Sequence, residues 1–172
     1  CAFPTPHIAA AKNAPVETAL VYSIIRQESV FNQYAVSKAK AMGLMQLIEK
    51  TACDTARSIS HKCDVKKLTS DPLYNIKLGG QHLRELLDKF DNSYILTIAS
   101  YNAGAHRANN WIERFGDPRH LKNLSQVIDW IELIPYSETR NYVQRVLENL
   151  QVYRAILNKN NTLKLKSDLL KS

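Results

Sequence analysis

A chain of 172 residues, 45% hydrophobic and 23% charged, has ordinary globular composition, which excludes a disordered chain and suits one well-buried domain better than two. No apolar run approaches the roughly 18–20 residues that a transmembrane helix needs. The net charge of +7 and pI near 9.3 point to an anionic partner without choosing among nucleic acid, a membrane surface and acidic cell-wall polymer.

The first residue is Cys1, with neither a Met nor a signal-peptide pattern, as expected of a processed chain or an excised portion of a longer one. Residues 1–13 are marked by proline and read as a surface lead-in with a short helix around Ile8–Lys12. The next helix is expected to start at Asn13 or Ala14, with Pro15 in its first turn, where a missing N–H costs nothing. Val16, Leu20 and Ile24 repeat every four residues and carry that helix to Glu28 and Ser29. From Val30 to Met42 the periodicity fails, so a loop is predicted. Gly43 permits a close turn, after which Leu44, Met45, Leu47 and Ile48 are expected to open a helix ending near Ser58.

A second loop spans 59–70. Asp71-Pro72 reads as an N-cap followed by proline, starting a helix that runs to Phe90 with Gly79-Gly80 as a close-packing site. Asn92 or Ser93 caps the next helix, which Gly104 ends. Further helices are expected over His106–Phe115, over Ser125–Leu133 and from Ser137 onward, where Val143, Val146, Leu147, Leu150 and Leu157 form a stripe. The chain is thus read as mainly α, with a single domain over 1–158. A basic tail over 159–172, disordered or partly helical, holds Lys159, Lys164, Lys166 and Lys171 against Asp168.

The chemistry is narrow. No nucleophile elbow, phosphate loop, H-E-x-x-H or calcium-loop pattern occurs, so no cofactor is predicted. The scattered histidines give no zinc spacing, and no metal site is predicted. Of three cysteines, Cys53 and Cys63 are spaced to close a small loop in an oxidising compartment, and two free thiols fit the spacing equally well. What remains is carboxylate chemistry. Val21, Ile24 and Ile25 lie seven, four and three residues before Glu28, so they stack on its side of the helix. Burial there would disfavour the charged carboxylate and suit Glu28 as a general acid. A glutamate hydrogen-bonded at a helix end fits the same pattern. Glu138, just after Ser137, would favourably meet a helix dipole with no further role.

Four clusters in order carry more than any one alone: Arg26-Gln27-Glu28-Ser29, Gly43-Leu44-Met45-Gln46, Ala99-Ser100-Tyr101-Asn102-Ala103-Gly104, and Ile134-Pro135-Tyr136-Ser137-Glu138-Thr139-Arg140. Together they resemble the catalytic domain of bacterial soluble lytic transglycosylases over about residues 3–157, and the last segment is similar to the large periplasmic branch. The resemblance implies a lysozyme-like fold, kin to goose-type lysozyme, with a cleft for peptidoglycan glycan strands. It also implies a periplasmic location and a superhelical domain upstream of the present chain. It makes Glu28 the single catalytic acid. Substrate-binding roles fall to Ser37, near the N-acetyl group, to Met45 and Gln46, to Tyr101 and Asn102, and to Glu138. Glu49, Ile48 and Ser100 depart from the family's frequent Pro, Met and Ala.

By the same resemblance, Glu28 protonates the oxygen between N-acetylmuramic acid and N-acetylglucosamine. It then deprotonates the muramyl 6-hydroxyl to leave a 1,6-anhydro end, with the acetamido oxygen in place of a second carboxylate. Two rivals share much of this pattern: a hydrolase of the goose-type lysozyme kind, and a glycan-binding module without catalysis. A nucleic-acid binder rests on charge alone and lacks a recognition motif.

Overall fold

The computed structural model describes residues 2–158 and 165–170. Its regular structure is helical, and among the described residues only isolated β-bridges stand outside the helices. The chain divides into two compact units, residues 1–84 and 85–172, and the division falls inside one helix.

In the first unit, α1 (Ile8–Asn13) packs against α2 (Thr18–Ser29). The Tyr22 hydroxyl donates to the Pro6 carbonyl at 2.9 Å and holds the lead-in on α2. The second helix starts at Thr18, four residues or more after the expected position. The cause is local: a residue before proline is pushed out of the helical region, and Ala14 is extended with ψ 146°. Leu20, Val21, Tyr22, Ile24 and Ile25 of α2 are buried. Its C-cap Val30 is left-handed with φ 50°, and Phe31 follows at φ 65°. Such a conformation is uncommon for a β-branched residue.

The chain then makes an irregular excursion over 30–48 before α3 (Glu49–Ser58). The expected helix opening at Leu44–Ile48 is absent: residues 43–46 form a turn closed by the Met42–Leu47 bridge, Met42 also bridges to Val36, and the helix begins only at Glu49. Cys53 and Cys63 form a disulfide that ties α3 to the segment beyond it. A short α4 (Lys67–Ser70) lies where a plain loop was predicted. Asp71 caps α5 (Pro72–Lys89) as expected, its Oδ1 accepting from the Leu73 and Tyr74 amides at 3.1 Å each. Both glycines of α5 sit at close contacts. A Cβ on Gly79 would lie 2.2 Å from the Met45 sulfur, and one on Gly80 would lie 2.9 Å from the Ala14 Cβ.

The second unit is built on α6 (Tyr94–Ala103), which packs against α7 (Ala105–Phe115) and α9 (Ser137–Leu157). Residues Tyr94 through Ser100 are all buried, so α6 is a core helix rather than an amphipathic one. Ser93 caps it by accepting from the Leu96 amide, and Gly104 at φ 91° ends it. A 3-10 turn at Pro118–His120 leads to α8 (Leu124–Glu132), capped by Asn123, whose side chain accepts from Gln126 N–H at 2.9 Å. Val143, Val146, Leu147 and Leu150 form the buried stripe of α9, with Tyr142 and Tyr153 buried beside it. In the tail, α10 (Leu165–Leu169) is anchored by Asp168, which pairs with Arg154 and accepts from Gln151 at 2.8 Å. Residues 159–164 and 171–172 of the predicted tail lie outside the described residues, as does Cys1.

Candidate active site

Glu28 stands in the last turn of α2 and is half-buried, with Val21, Ile24 and Ile25 buried on the same helix. The next residue makes the structural tie. Ser29 is buried, and its hydroxyl is shared between the Ile25 carbonyl at 3.2 Å and the Leu44 carbonyl at 2.8 Å. The second bond clamps the Gly43–Gln46 turn onto the helix end that carries Glu28.

That turn has its own scaffold. Gly43 adopts φ 77°, and a Cβ there would fall 2.0 Å from the Leu68 carbonyl oxygen and 2.2 Å from Asn75 Nδ2. No other residue fits without displacing backbone. Asn75, fully buried on α5, donates to the carbonyls of Met42 at 3.0 Å and Leu68 at 2.9 Å, and accepts from the Met45 amide at 2.8 Å. All of its hydrogen-bonding capacity but one lone pair is thus spent on backbone. Gln46, at φ 49°, donates through its carboxamide to the Ala35 carbonyl at 3.1 Å and the Gly43 carbonyl at 2.9 Å. Its Oε1 is the atom left for a ligand.

Met45 differs from expectation. Its side chain is 0% exposed and rests against Gly79, so it supports the turn from beneath and offers a ligand no surface. The neighbouring exposed apolar group is Ile48. Ser37 lies at the exposed tip of the excursion. Its Oγ accepts from Ala41 N–H at 3.0 Å and its own N–H reaches the Ala41 carbonyl at 2.9 Å, which leaves the hydroxyl proton to donate outward.

Residues 85–172 carry the remaining predicted residues. Tyr101 and Asn102 are half-buried in the last turn of α6. Asn102 Oδ1 accepts from the buried Thr139 hydroxyl at 2.8 Å, which ties the end of α6 to the first turn of α9. Glu138, one residue before Thr139, is exposed in that first turn, where a carboxylate is favoured by the helix N-terminus. Arg140 donates to the Ile134 carbonyl at 2.6 Å and fixes the bend at Pro135. Tyr136 has the Arg107 guanidinium 4.9 Å from its ring centre and Trp111 at 5.9 Å. Glu132 is engaged elsewhere, accepting from Gln144 at 3.1 Å.

Sequence reasoning missed Ser29, Asn75 and Thr139 as positioning residues. Asn75 had one readable signal, a carboxamide directly beside apolar Ile76 on a helix otherwise read for its leucines. Acid–base properties separate bystanders from candidates. Burial pushes the Tyr22 phenol up to about 12, which removes it from proton transfer near neutrality. Among the described residues, no group of three or more His, Cys, Asp or Glu is placed to hold a metal ion. The chemistry on offer in the first unit is a half-buried carboxyl on a helix end tied to a rigid turn that carries the Gln46 carboxamide.

Comparison with known proteins shows the family and the fold. The transglycosylase SLT domain family matches residues 5–123, and the soluble lytic transglycosylase helical domain matches residues 133–162. The chain is 36% identical over 146 residues to the soluble lytic murein transglycosylase of Escherichia coli K12, covering 82% of this chain and 21% of that protein. It superposes on the crystal structure of the 70 kDa soluble lytic transglycosylase from Escherichia coli with a TM-score of 0.86 and 30% identity, over 98% of this chain and 27% of that one. The lytic transglycosylase Slt of Pseudomonas aeruginosa gives a TM-score of 0.80 and 33% identity, over 95% of this chain and 26% of that one. The mainly α, lysozyme-like class is borne out by these matches. The chain spans about a quarter of the length of these relatives.

Proposed function

The chain belongs to the transglycosylase SLT family, and on that premise we propose that it is the catalytic part, over residues 1–158, of a lytic transglycosylase acting on peptidoglycan glycan strands in the periplasm. The observation that carries this reading is the Ser29–Leu44 hydrogen bond, which holds a half-buried Glu28 beside the Gly43–Gln46 turn. The Cys53–Cys63 disulfide fits an oxidising compartment.

In the proposed reaction Glu28 gives its proton to the bridging oxygen as the bond to C1 of N-acetylmuramic acid breaks. Charge at C1 is relieved by the substrate's own acetamido oxygen, so no second carboxylate is required. The Glu28 carboxylate then takes the proton of the muramyl 6-hydroxyl, which closes on C1 as a 1,6-anhydro ring. Ser37 donates its free hydroxyl proton to the substrate, and Gln46 offers Oε1 as an acceptor. Tyr101, Asn102 and Glu138 bind the glycan from residues 85–172, while Met45 acts from beneath the turn. In a longer protein, a superhelical domain would precede this part.

Mass spectrometry of digested peptidoglycan tests the reading. Anhydro-muramyl ends are expected; reducing ends would make the protein a hydrolase of the goose-type lysozyme kind. Glu28→Gln should lower turnover by a factor on the order of 10²–10⁴ while glycan binding persists. An active Glu28→Gln variant would sink the assignment of the acid.

A further inference from the structure

Away from Glu28, residues 1–84 enclose a groove of about 940 Å³. Its floor is one stripe of α5, where Leu73, Lys77 and Gln81 follow one another at helical spacing. One wall is α1 and the bend after it, with Ile8, Ala9, Ala10, Ala14 and Pro15. The other wall is the turn inside the disulfide loop, with Ile59 and His61.

The size and lining of the groove give it a chemistry. The volume is that of a small-ligand site, about 300–1,000 Å³. The ionisable side chains lining it are His7, His61 and Lys77, all basic, with no carboxylate among them. Lys77 makes no ion pair among the described residues; its ammonium donates to His61 Nε2, which leaves two N–H groups for another acceptor. An ammonium on a floor shared with Leu73 and facing the apolar wall of α1 suits an anion with an apolar body. The carboxamides of Asn13 and Gln81 sit in the same groove. They can satisfy the N–H and C=O groups of a peptide, and a fatty-acyl chain would leave them without partners. The alanines of the first wall accommodate small side chains.

We propose that this groove binds a short peptide by its free terminal carboxylate, held by Lys77 and His61, with small apolar side chains against α1. The peptide in question is the stem that the glycan carries, and that identification rests on the function proposed above. The wall that presents His61 lies inside the crosslinked loop, and the His61 amide donates to the Ala56 carbonyl at 2.8 Å. Reduction of Cys53–Cys63 therefore loosens one wall of the groove.

Amide-resolved NMR titration of the 172-residue chain tests this with N-acetyl-alanyl-alanine in its D,D and L,L forms, the matching C-terminal amide, and octanoate. Shifts are expected at 59–61 and 73–81, with the amide weaker by about tenfold, the size of one charge-assisted hydrogen bond. Lys77→Gln should erase the difference between acid and amide. Leu73→Glu, at a half-exposed site that the fold tolerates, should abolish binding by repulsion, and reductant should weaken it. Equal binding of acid and amide, shifts confined to other residues, binding of octanoate alone, or no shift at all would each overturn the proposal. Digestion of intact peptidoglycan is measured in parallel. Cleavage without peptide binding removes the groove and leaves the enzyme. Peptide binding without cleavage leaves the groove and removes the enzyme reading.

Discussion

Residues 1–84 and residues 85–172 present their candidate groups by different means. In the first unit, Ser37 and Gln46 ride on irregular backbone in which Lys40, Gln46 and Gly43 all take positive φ. That path holds its shape because buried side chains elsewhere in the unit bond its carbonyls and amides, Ser29 and Asn75 above all. In the second unit, Tyr101, Asn102 and Glu138 sit on helix ends that are regular by themselves, and one Thr139–Asn102 bond joins them. An irregular path needs many specific bonds to be unique, since an unmade buried bond leaves a desolvated group behind. A helix end needs only a cap. Mutational sensitivity should therefore be concentrated in the first unit.

The strongest test of that contrast is Asn75→Leu. It strands the Met45 amide and two carbonyls, and a loss on the order of 3–5 kcal/mol is expected in urea unfolding. Asn75→Asp, which keeps the acceptor but turns a buried carboxylate toward the Met42 and Leu68 carbonyl oxygens, should lose at least as much. Replacing both Cys53 and Cys63 by Ser should cost about 3 kcal/mol for a crosslink spanning a sequence separation of 10, read as a drop in Tm. In the second unit, Thr139→Val should cost only about 1 kcal/mol, yet lower turnover more than stability if Asn102 binds substrate. A Thr139→Val loss as large as that of Asn75→Leu would erase the contrast.

The smallest effect concerns acid. Hydrogen bonds from Arg119 hold the Asp117 carboxyl below the usual carboxylate range. A depressed folded value means that its stabilisation is full above the unfolded value of about 3.9 and is lost as pH falls through the folded one. Thermal unfolding between about pH 4 and pH 2 should therefore lose less Tm with acidification in Asp117→Asn than in the parent chain. Equal slopes would show the pair to be energetically silent.

The same contrast explains what could be read from residues alone. Asp71-Pro72, Ser93 and Gly104 are local signals, and the helix ends they predict are present. The Gly79-Gly80 pair in α5 correctly signalled close packing because no side chain could fill those places. Residues 44–48 were misread as a helix start, since Leu44, Met45 and Leu47 at that spacing also fit a turn that buries them and leaves Ile48 exposed. Nothing nearby marks Val30 and Phe31 for left-handed backbone, and neither is a residue that favours it. The apolar stripe before Glu28 fitted a general acid and a helix-end glutamate alike, and only the four clusters together singled it out, whereas nothing marked Thr139 and Ser29 as positioning residues, because a hydroxyl's partner lies in another part of the chain. Met45 shows the same limit from the other side. Its place in a motif suggested contact with sugar, and only packing reveals that it faces Gly79.

The Asn75 carboxamide has a consequence in time as well as in space. It bonds Met42 and Met45, some thirty positions earlier, so the excursion over 30–48 has no closed form until α5 exists. During synthesis the glutamate and its helix leave the ribosome first and wait for their surroundings. Contacts of such separation form late, after the entropy of the intervening chain has been overcome. Ordering of the turn beside Glu28 is thus coupled to completion of the first unit, and a nascent or partly unfolded chain carries the acid without its setting.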